Sequence, residues 1–498
     1  MSRDILRSLP TTADGNATAL RALLDTQRSD FLASDAPSAA VRRDRIDRLV
    51  LLLTENADEF SAALNADFGN RPHGVNLLSE IAGILPDLTN TRRKLESWMR
   101  PERVRSSTLM GMPTVVEKKP LGVVGVIGPW NFPISLVVQP TASAFAAGNR
   151  VMIKFSEVTA RTADLFAAKV TAYFDPTELT VVTGGAEVGA AFSALPFDHL
   201  FFTGSPRVGA LVAATAGRNL VPVTLELGGK NPAVIAPEAD IPAMAQRVMA
   251  ARVANGGQIC LCPDYAFVPR AKLDEFVSAA IEQGRKAASC EGPAGMVSIV
   301  DDKNFERVTA LIDDARTHGA TVLDTGTRLD RARRRMPPTV LLGVTDDMRI
   351  AGDEVFGPVL SVLPYDDIAE VCDYISRRPS PLAVYWFGPL GRGFDALRER
   401  TLSGGVSVND FALHCAVMAA PFGGVGHSGS GAYHGKTGFD TFTHLRTVTT
   451  SKLPFSFAKL ITPPYPTGLT GCLKAYLGWE RRKAERRVAH AKSLPKPT

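Results

Sequence analysis

Four segments of the chain place chemically active side chains beside glycine-rich turns. The first ends in a turn with Trp130 and Asn131, the third carries Glu226 at a strand end, and the fourth presents Cys260 where a helix breaks at two glycines. In the second, a strand leads through a Gly-Ser pair into a helix, which fits a phosphate bound on backbone N–H groups, although its spacing is not the GxGxxG fingerprint. The segments are PLGVVGVIGPWNFP (120–133), FTGSPRVG (202–209), LELGGKNP (225–232) and NGGQICLCPDY (255–265).

These segments belong to an alternation of strands and helices that is typical of parallel sheets. Helices are predicted between the strands of the first half, at 135–148, 160–173, 185–194 and 206–217. The pattern therefore predicts an α/β fold with two parallel-sheet domains that meet near residues 226–232. Apolar runs predict strands at 123–127, 151–154, 180–182, 200–203 and 221–225, and in a second series near 265–269, 320–323, 339–343, 359–364 and 382–387.

Two further patterns complete the organisation. Residues 40–66 predict one amphipathic helix or a pair of helices, and 78–99 continue in helix. PTVVEKKP (113–120) and LRTVTT (445–450) are rich in β-branched residues, so we expect them to pair as a small projecting sheet.

Composition restricts the class of protein. With 498 residues, 45% of them hydrophobic and 21% charged, the chain is long enough for two or three packed domains. Its six cysteines form neither a disulfide framework nor a metal-ligand spacing, so no metal site is predicted. No apolar stretch is long enough to span a bilayer and the N-terminus lacks a secretory h-region. These features predict a cytoplasmic protein.

The net charge of +5 is unevenly distributed. From Ser451 onward the tail holds ten lysines and arginines against two glutamates, a net +8, which leaves −3 on the rest of the chain. Because the charge is not spread over a folded face, no nucleic-acid partner is predicted. The tail fits a solvated helix, or an anchor for acidic lipid headgroups because Leu473, Tyr476, Leu477 and Trp479 precede its charges.

The chain resembles the aldehyde dehydrogenase superfamily, and within it the bacterial coniferyl aldehyde dehydrogenase-like group related to the class 3 enzymes. The resemblance covers residues 15–470 in the expected order. It rests on ADFGNR (66–71), GPWNFP, VTGGAEVGAAF (182–192), LPFDHLFFTGS, ELGGK, EVFGPVL (354–360), SGGVSVND (403–410), PFGGVGHSGSGAYHGKTGFDTF and the ITPPY tail.

The resemblance implies oxidation of an aldehyde to an acid through a cysteine thioester. Cys260 matches the nucleophile and Glu226 the general base that cleaves the thioester with water. The Asn131 amide and the Cys260 backbone N–H match the oxyanion donors. The match also implies a cofactor domain (1–226, with flap residues 113–120), a catalytic domain (227–408), a return segment with the oligomerisation strand (409–452) and a basic tail (453–498).

The implied cofactor is NAD, with NADP as the alternative. Lys154 and Glu157 match the pair at the adenosine ribose, Gly204 and Ser205 meet the pyrophosphate, and Glu354 matches the ligand of the nicotinamide ribose. The remaining implied cofactor contacts are Trp130, Gly209 and Phe356. The flap, an exposed two-stranded unit, implies a homodimer.

Several positions depart from the family pattern. Phe155 replaces the proline after Lys154, which predicts a looser turn there, and Ile259 makes the wall beside Cys260 more apolar. Cys262 is interpreted as a packing residue, with a redox partner for Cys260 as the alternative. His414 is either structural or in contact with substrate.

The resemblance suggests a bulky, apolar or aromatic aldehyde of the cinnamaldehyde type, and a long-chain aliphatic aldehyde fits equally well. A CoA-acylating relative typically lacks the glutamate matched by Glu226, and a non-catalytic relative would be expected to have lost Cys260, Asn131 or Glu226. The intact set therefore favours the hydrolytic enzyme.

Overall fold

The computed structural model of the protein describes residues 13–290 and 292–493. The first residues of the N-terminus, where the sequence predicts no secretory segment, and Lys496 of the basic tail lie outside the described residues. The chain divides into two compact units. One is formed by the chain up to Arg100 with Lys118–His444, and the other by Pro101–Glu117 with Leu445 and the tail that follows.

The strands follow the predicted order closely. The described chain contains β1 (Glu102–Val104), β2 (Thr114–Pro120), β3 (Val123–Ile127), β4 (Arg150–Lys154), β5 (Leu179–Val182), β6 (His199–Gly204), β7 (Val223–Leu227), β8 (Asn231–Ile235), β9 (Pro263–Pro269), β10 (Thr321–Asp324), β11 (Thr339–Leu342), β12 (Val359–Tyr365), β13 (Ala383–Phe387), β14 (Gly405–Val408), β15 (Gly429–Ser430) and β16 (Thr443–Thr449).

The helices fill the connections between these strands. Those of three or more turns are Ala13–Ala33, Ala39–Glu55, Ala57–Phe68, Leu85–Met99, Ser135–Ala147, Ala160–Val170, Pro206–Gly217, Ile241–Val253, Leu273–Ala288, Asp302–Thr317 and Leu469–Ser493. Shorter ones are His73–Asn76, the π-helix Leu77–Ala82, Arg105–Leu109, Ala186–Ser193, Arg349–Gly352, Ile368–Ser376, Arg392–Arg400, Leu413–Ala416 and Gly435–Thr441. Residues 40–66 are thus a pair of helices, divided at Asn56.

Side-chain caps explain where several helices begin. An oxygen of the residue before the helix accepts a hydrogen bond from a backbone N–H of the first turn, which would otherwise have no partner. Ser38, Ser205, Asp240, Asp301 and Asp367 cap helices in this way.

The first sheet has the strand order β15-β7-β6-β3-β4-β5. Strands β3 to β7 are parallel, and β15 is antiparallel to β7. The strand order reverses at β3, so the carboxyl ends of β3 and β6 flank the crevice where such sheets bind nucleotides.

The second sheet has the order β10-β11-β12-β9-β8-β13-β14, parallel throughout except for β10. The α/β fold predicted from the sequence is confirmed. Each sheet nevertheless carries one antiparallel edge strand, and β7 lies two residues later than predicted. The strand pattern also missed β1, β8, β14 and β15.

The second unit contains most of a three-stranded sheet and the tail. The predicted pairing of 113–120 with 445–450 is present, but the flap is not two-stranded as predicted, because β1 adds antiparallel to β2. Arg446 forms an ion pair with Glu117 across the sheet, at 2.6 Å. The tail forms the helix Leu469–Ser493, with Tyr476 and Trp479 exposed. Within residues 13–290 and 292–493, no helix has the length and apolar character needed to span a bilayer.

Candidate active site

Cys260 follows a helix that is broken by glycines. The helix Ile241–Val253 runs into a 3₁₀ turn whose residues Gly256 and Gly257 both have φ near +70°, at 66° and 77°. A Cβ on Gly257 would overlap the backbone of Gly357. Glycine is therefore required here, both for the left-handed φ and for the close approach of the two loops.

The backbone around Cys260 is held from two sides. The side-chain amide of Asn231 donates to the Cys260 and Cys262 carbonyls, at 2.7 and 3.1 Å. The Tyr385 hydroxyl donates to the Leu261 carbonyl at 2.6 Å. These bonds fix the three peptide planes that follow the Cys260 α-carbon.

Asn131 lies against the same turn. It follows β3, is buried, and its Nδ2 donates to the Gln258 carbonyl at 3.1 Å. Asn255 donates to that carbonyl as well, at 3.2 Å. The Gln258 side-chain amide in turn donates a hydrogen bond to the Ser298 carbonyl at 3.1 Å, which holds the turn against the segment that contains Ser298. The structure therefore brings the Asn131 amide to the segment that carries Cys260.

Glu226 is a buried carboxylate on β7, the strand next to the edge of the first sheet. In β7 it aligns with Thr203 of β6 on one side and Gly429 of β15 on the other. It is only 4% exposed, and neither carboxylate oxygen has a hydrogen-bond partner among the described residues. Burial raises the pKa of Glu226 well above its ordinary value.

The charge environment places two carboxylates near the thiol. Burial raises the pKa of Cys260, and the charges of Glu354 and Glu226 raise it further. The resting sulfur is therefore a thiol at neutral pH, and its proton must be removed before it can attack a carbonyl. A nearby carboxylate with a raised pKa suits that task.

Glu354 and Phe356 lie on one loop beside this centre. The Glu354 carboxylate packs so closely on Gly228 that a Cβ there would overlap it, and the Gly229 N–H donates to it. Burial raises the pKa of Glu354 to about 8, with Asp264 contributing. Phe356 meets Trp130 edge-on, with ring centroids 5.3 Å apart.

Sequence reasoning missed the residues that hold this loop. Asp264, at the start of β9, receives hydrogen bonds from Lys230, from Arg252 (3.3 Å) and from the Val355 N–H (3.1 Å). Arg252 also donates to the Gly257 carbonyl at 2.9 Å. We call Lys230, Arg252 and Asp264 the Asp264 network. A signal was present, because Asp264 opens an apolar strand and an isolated buried carboxylate needs a partner.

At the end of β4, the Lys154 side chain is buried and the nearby Glu157 side chain is about half exposed. Lys154 Nζ lies 3.8 Å from Glu157 and donates to the Phe155 carbonyl at 2.6 Å. Burial lowers the pKa of Lys154, while the charges of Glu157 and Glu187 oppose that change. Phe155, which follows Lys154 where the sequence predicts a looser turn, is buried and packs on Phe166 with ring centroids 5.0 Å apart.

The second glycine segment has the geometry expected of an anion site. Ser205 caps the helix Pro206–Gly217, directly after β6. A Cβ at Gly204 would press on Phe202, and one at Gly209 would press on Leu227, each at 2.6 Å. Gly209 therefore serves the packing of the helix on β7.

Cys262 and His414 each form a hydrogen bond with another residue of the chain. The Cys262 thiol is buried and donates to the Ala251 carbonyl at 3.2 Å, as a packing residue would. His414 Nδ1 lies 2.7 Å from the Ser407 hydroxyl, and the imidazole stacks on Phe422. Its Nε2 has no partner within the described part of the chain, so a structural role and a substrate contact both remain compatible with the geometry.

Comparisons with known proteins identify the family of the chain. The sequence profile of the aldehyde dehydrogenase family matches residues 7–448. A coniferyl aldehyde dehydrogenase from a Pseudomonas species is 41% identical over 93% of this chain and 97% of the relative. The dimeric NADP-preferring aldehyde dehydrogenase of Rattus norvegicus is 34% identical over 88% of this chain and 96% of the relative.

Solved structures give the same result. The AldH protein of Staphylococcus aureus in a substrate-bound state is 31% identical and superposes with a TM-score of 0.85, covering 92% of this chain and 99% of that one. The Mycobacterium tuberculosis aldehyde dehydrogenase complexed with NAD⁺ is 28% identical with a TM-score of 0.80, covering 89% and 91%.

Proposed function

Because the chain belongs to the aldehyde dehydrogenase family, we propose that it oxidises an aromatic aldehyde of the cinnamaldehyde type to the carboxylic acid, with NAD as cofactor. The observation that carries the proposal is Glu226, a buried carboxylate without a hydrogen-bond partner among the described residues, whose charge contributes to the raised pKa of the Cys260 thiol. The aromatic preference is supported by the 41% identity to a coniferyl aldehyde dehydrogenase.

The first step is addition of Cys260 Sγ to the aldehyde carbonyl. The thiol proton passes to Glu226, whose raised pKa makes it able to accept that proton and release it again. Negative charge then develops on the former carbonyl oxygen. The Asn131 side-chain amide and the Cys260 backbone N–H stabilise that oxyanion in the thiohemiacetal.

The cofactor has residues suited to it along the carboxyl edge of the first sheet. Bound NAD supplies the hydride acceptor. Lys154 and Glu157 would bind the adenosine ribose, Gly204 and Ser205 the pyrophosphate, and Glu354 the nicotinamide ribose. Two observations support this placement of the cofactor. Ser205 caps the helix that begins directly after β6, and Lys154 Nζ lies 3.8 Å from the Glu157 carboxylate.

The last step is hydrolysis of the Cys260 thioester. Glu226 in its ionised form deprotonates a water, which attacks the thioester carbon and expels the thiolate. Burial without a competing hydrogen bond leaves both oxygens of this base free for water. A CoA thiol is not needed in this scheme, because water is the acceptor of the acyl group.

We further propose a homodimer built on the three-stranded flap. Strand β16 is exposed along nearly its whole length, and among the described strands it pairs with β2 alone. An open edge of this kind is completed by a strand from a second copy. A cytoplasmic, reducing compartment suits the six free cysteines.

One set of assays tests the function. The protein is mixed with NAD and either cinnamaldehyde or a long-chain aliphatic aldehyde, with and without CoA, while NADH and the acid product are measured. We expect CoA-independent formation of the free acid, with the higher kcat/KM for the aromatic aldehyde. Acyl-CoA as the product, or no oxidation of any aldehyde, contradicts the proposal. Sedimentation at micromolar protein concentration tests the dimer. A sedimentation coefficient of a monomer would contradict that part of the proposal.

A further inference from the structure

A buried ion pair that takes no part in the steps above lies beside the turn that carries Asn131. The side chains of Arg71 and Glu80 are both fully buried, and Arg71 Nη1 donates to Glu80 Oε1 at 2.8 Å. A buried charge without a partner is costly, so each side chain depends on the other. We call these two residues the Arg71–Glu80 pair.

The second oxygen of Glu80 caps a neighbouring helix. Glu80 Oε2 accepts hydrogen bonds from the backbone N–H groups of Ile134 and Ser135, at 3.1 and 3.0 Å. The helix Ser135–Ala147 begins there, and the residue before it gives no side-chain cap. The N–H groups at a helix start need acceptors and favour a negative charge. Glu80 therefore fixes this helix start from another element, the π-helix Leu77–Ala82.

Arg71 packs against the ring that follows Asn131. Its guanidinium lies 5.1 Å from the centroid of the Phe132 ring and 4.8 Å from that of Phe68, a cation–π arrangement with both rings. Phe68 in turn packs on Trp130, with ring centroids 6.4 Å apart. The residues directly before and after Asn131 are thus packed against one group of side chains.

The Asn131 amide lies between these fixed points. Its Nδ2 donates to the Gln258 carbonyl at 3.1 Å, which occupies one of its two N–H groups. The other N–H group is the one that can donate to an oxyanion at Cys260. A donor of this kind is effective only if its position is set before the charge develops, so the chain that carries it must be held rigidly.

We propose that Glu80, paired with Arg71, is a positioning residue for the oxyanion-binding amide of Asn131. Glu80 acts through the backbone, because the two N–H groups that it accepts from lie three and four residues after Asn131. Arg71 acts through the ring of Phe132. The inference rests on the proposed function, in which Asn131 binds the oxyanion of the thiohemiacetal.

The test follows a single turnover of cinnamaldehyde by the full-length protein with NAD. With enzyme in excess over aldehyde, the rate of NADH formation reports on thiohemiacetal formation and hydride transfer. Glu80→Gln keeps the size of the side chain and removes its charge, so the helix start is held less firmly. We expect this rate to fall at least about tenfold, because even a small displacement of a positioned group slows a reaction strongly.

A double-mutant cycle shows whether Glu80 acts through Asn131. Asn131→Ala alone should lower the rate about 10²–10³-fold, as loss of one oxyanion donor does. In the Asn131→Ala background, Glu80→Gln should have little further effect, because the amide that Glu80 positions is absent. A loss by the same factor in both backgrounds overturns the inference.

Alkylation of Cys260 by iodoacetamide separates positioning from a general loss of structure. The thiolate displaces iodide from a saturated carbon, so no oxyanion forms and the Asn131 amide is not needed. The rate, followed by mass spectrometry of the peptide that contains Cys260, should stay close to that of the wild type in Glu80→Gln. An equal fall in the rates of alkylation and NADH formation means that Glu80 has a structural role only, which overturns the inference.

Asp67→Asn is the matched control. Like Glu80, Asp67 caps a helix from another element, because its carboxylate accepts from the N–H groups of Arg161 and Thr162, at 3.1 and 2.9 Å. That helix, Ala160–Val170, carries no residue of the proposed reaction. Asp67→Asn should therefore lower stability and leave the single-turnover rate as in the wild type.

Arg71→Lys decides the question if Glu80→Gln does not fold. It keeps a positive charge beside Glu80 and removes the planar group between the two rings, so a smaller loss of the same kind is expected. An unchanged rate of NADH formation in folded Glu80→Gln or Arg71→Lys overturns this inference but not the proposed function. Failure of the wild type to oxidise cinnamaldehyde, or an unchanged rate in Asn131→Ala, overturns the proposed function instead.

Discussion

Two nearly inaccessible carboxylates, Asp264 and Glu226, have opposite surroundings. Asp264 is 1% exposed and accepts hydrogen bonds from Lys230, Arg252 and the Val355 N–H. Glu226 is 4% exposed and has no partner among the described residues. A paired buried carboxylate stabilises the fold around it, whereas an unpaired one lowers stability and stays available for proton transfer. We therefore expect Asp264 to hold the structure around the site and Glu226 to take part in the reaction.

The largest effect should come from the nucleophile that both regions serve. Cys260→Ala should abolish NADH formation completely, because neither the thiohemiacetal nor the thioester can form. NADH is followed at 340 nm with saturating aldehyde, and near-ultraviolet circular dichroism confirms folding. Residual turnover above the uncatalysed rate would show that another group attacks the carbonyl. Cys262→Ala, a change of the neighbouring packing thiol, is the control and should keep most activity.

Glu226→Gln should separate the two halves of the reaction. The amide keeps the shape but removes the base, so steady turnover should fall on the order of 10²–10⁴-fold. If acylation still proceeds, one burst of NADH per site is followed by an acyl-enzyme visible by intact-mass spectrometry. Hydroxylamine should restore turnover when the block lies after hydride transfer. The burst shrinks to the extent that Glu226 also deprotonates Cys260.

The pH profile sharpens the same assignment. The pKa of Glu226 is raised, so this base loses its ionised form at a higher pH than an ordinary carboxyl group. Wild-type kcat should therefore fall as the pH is lowered through that raised pKa, and the step should be absent from Glu226→Gln. Steady turnover of the variant close to wild type, without burst or trapped adduct, would mean that another group is the base.

Stability should respond in the opposite sense at the two carboxylates. Asp264→Asn leaves Lys230 and Arg252 with an uncompensated buried charge, which should cost about 3 kcal/mol or more in the free energy of unfolding. Glu226→Gln should cost little. A carboxyl group with a raised folded-state pKa binds protons more tightly in the folded state, so it lowers stability as pH rises from its unfolded pKa to its folded pKa. Relative to wild type, Glu226→Gln should thus gain stability across that window.

Thermal and urea unfolding at fixed protein concentration, between pH 5 and pH 8, measure this contrast. Equal loss of stability in Asp264→Asn and Glu226→Gln would remove the distinction between the two regions. Asp353→Asn is the control for the first variant, because Asp353 is an exposed carboxylate close in sequence whose side chain is 61% exposed. Its effect should fall within about 0.5 kcal/mol, as for surface substitutions in general.

The smallest effect is expected at the open cofactor end. The Glu157 side chain is 49% exposed, so solvent screens its charge. It should still favour a 2′-hydroxyl over a 2′-phosphate, which gives a higher kcat/KM for NAD than for NADP. Glu157→Gln should reduce the ratio of kcat/KM values for NAD and NADP by only a few-fold, because a pair of exposed charges contributes little free energy. The carboxylate of Glu187 still repels a 2′-phosphate in this variant. Equilibrium binding of each nucleotide, followed by tryptophan fluorescence, checks the result. Preference of the wild type for NADP would contradict it.

The elements that the sequence predicts best are those with a strong local pattern. Strand β3 matches the predicted 123–127, and the break before Cys260 is encoded by Gly256 and Gly257. Strand β15 was missed because Gly429–Ser430 has no strand preference of its own and forms only by pairing with β7. Its existence depends on tertiary structure, which no local window contains.

The site shows the same division. Asn131, Cys260 and Glu226 each stand in a motif that the sequence makes visible, and the structure places the Asn131 amide on the turn that leads to Cys260. The Asp264 network was missed because Lys230 lies in the loop before β8, Arg252 on a helix and Asp264 on β9, and no local pattern in the sequence pairs the three. Only an acid within an apolar strand and an arginine in a buried helix gave a hint.

The pairing of Glu226 with Gly429 has a consequence for synthesis of the chain. Gly429 lies about two hundred residues after Glu226. Until that segment has been synthesised, β7 is an open sheet edge and the Glu226 carboxylate faces water. Closing so long a loop is slow. A nascent or truncated chain that ends before Gly429 should therefore fold its nucleotide-binding strands yet lack a sequestered base. The protein would acquire its hydrolytic step only when nearly all of it has left the ribosome.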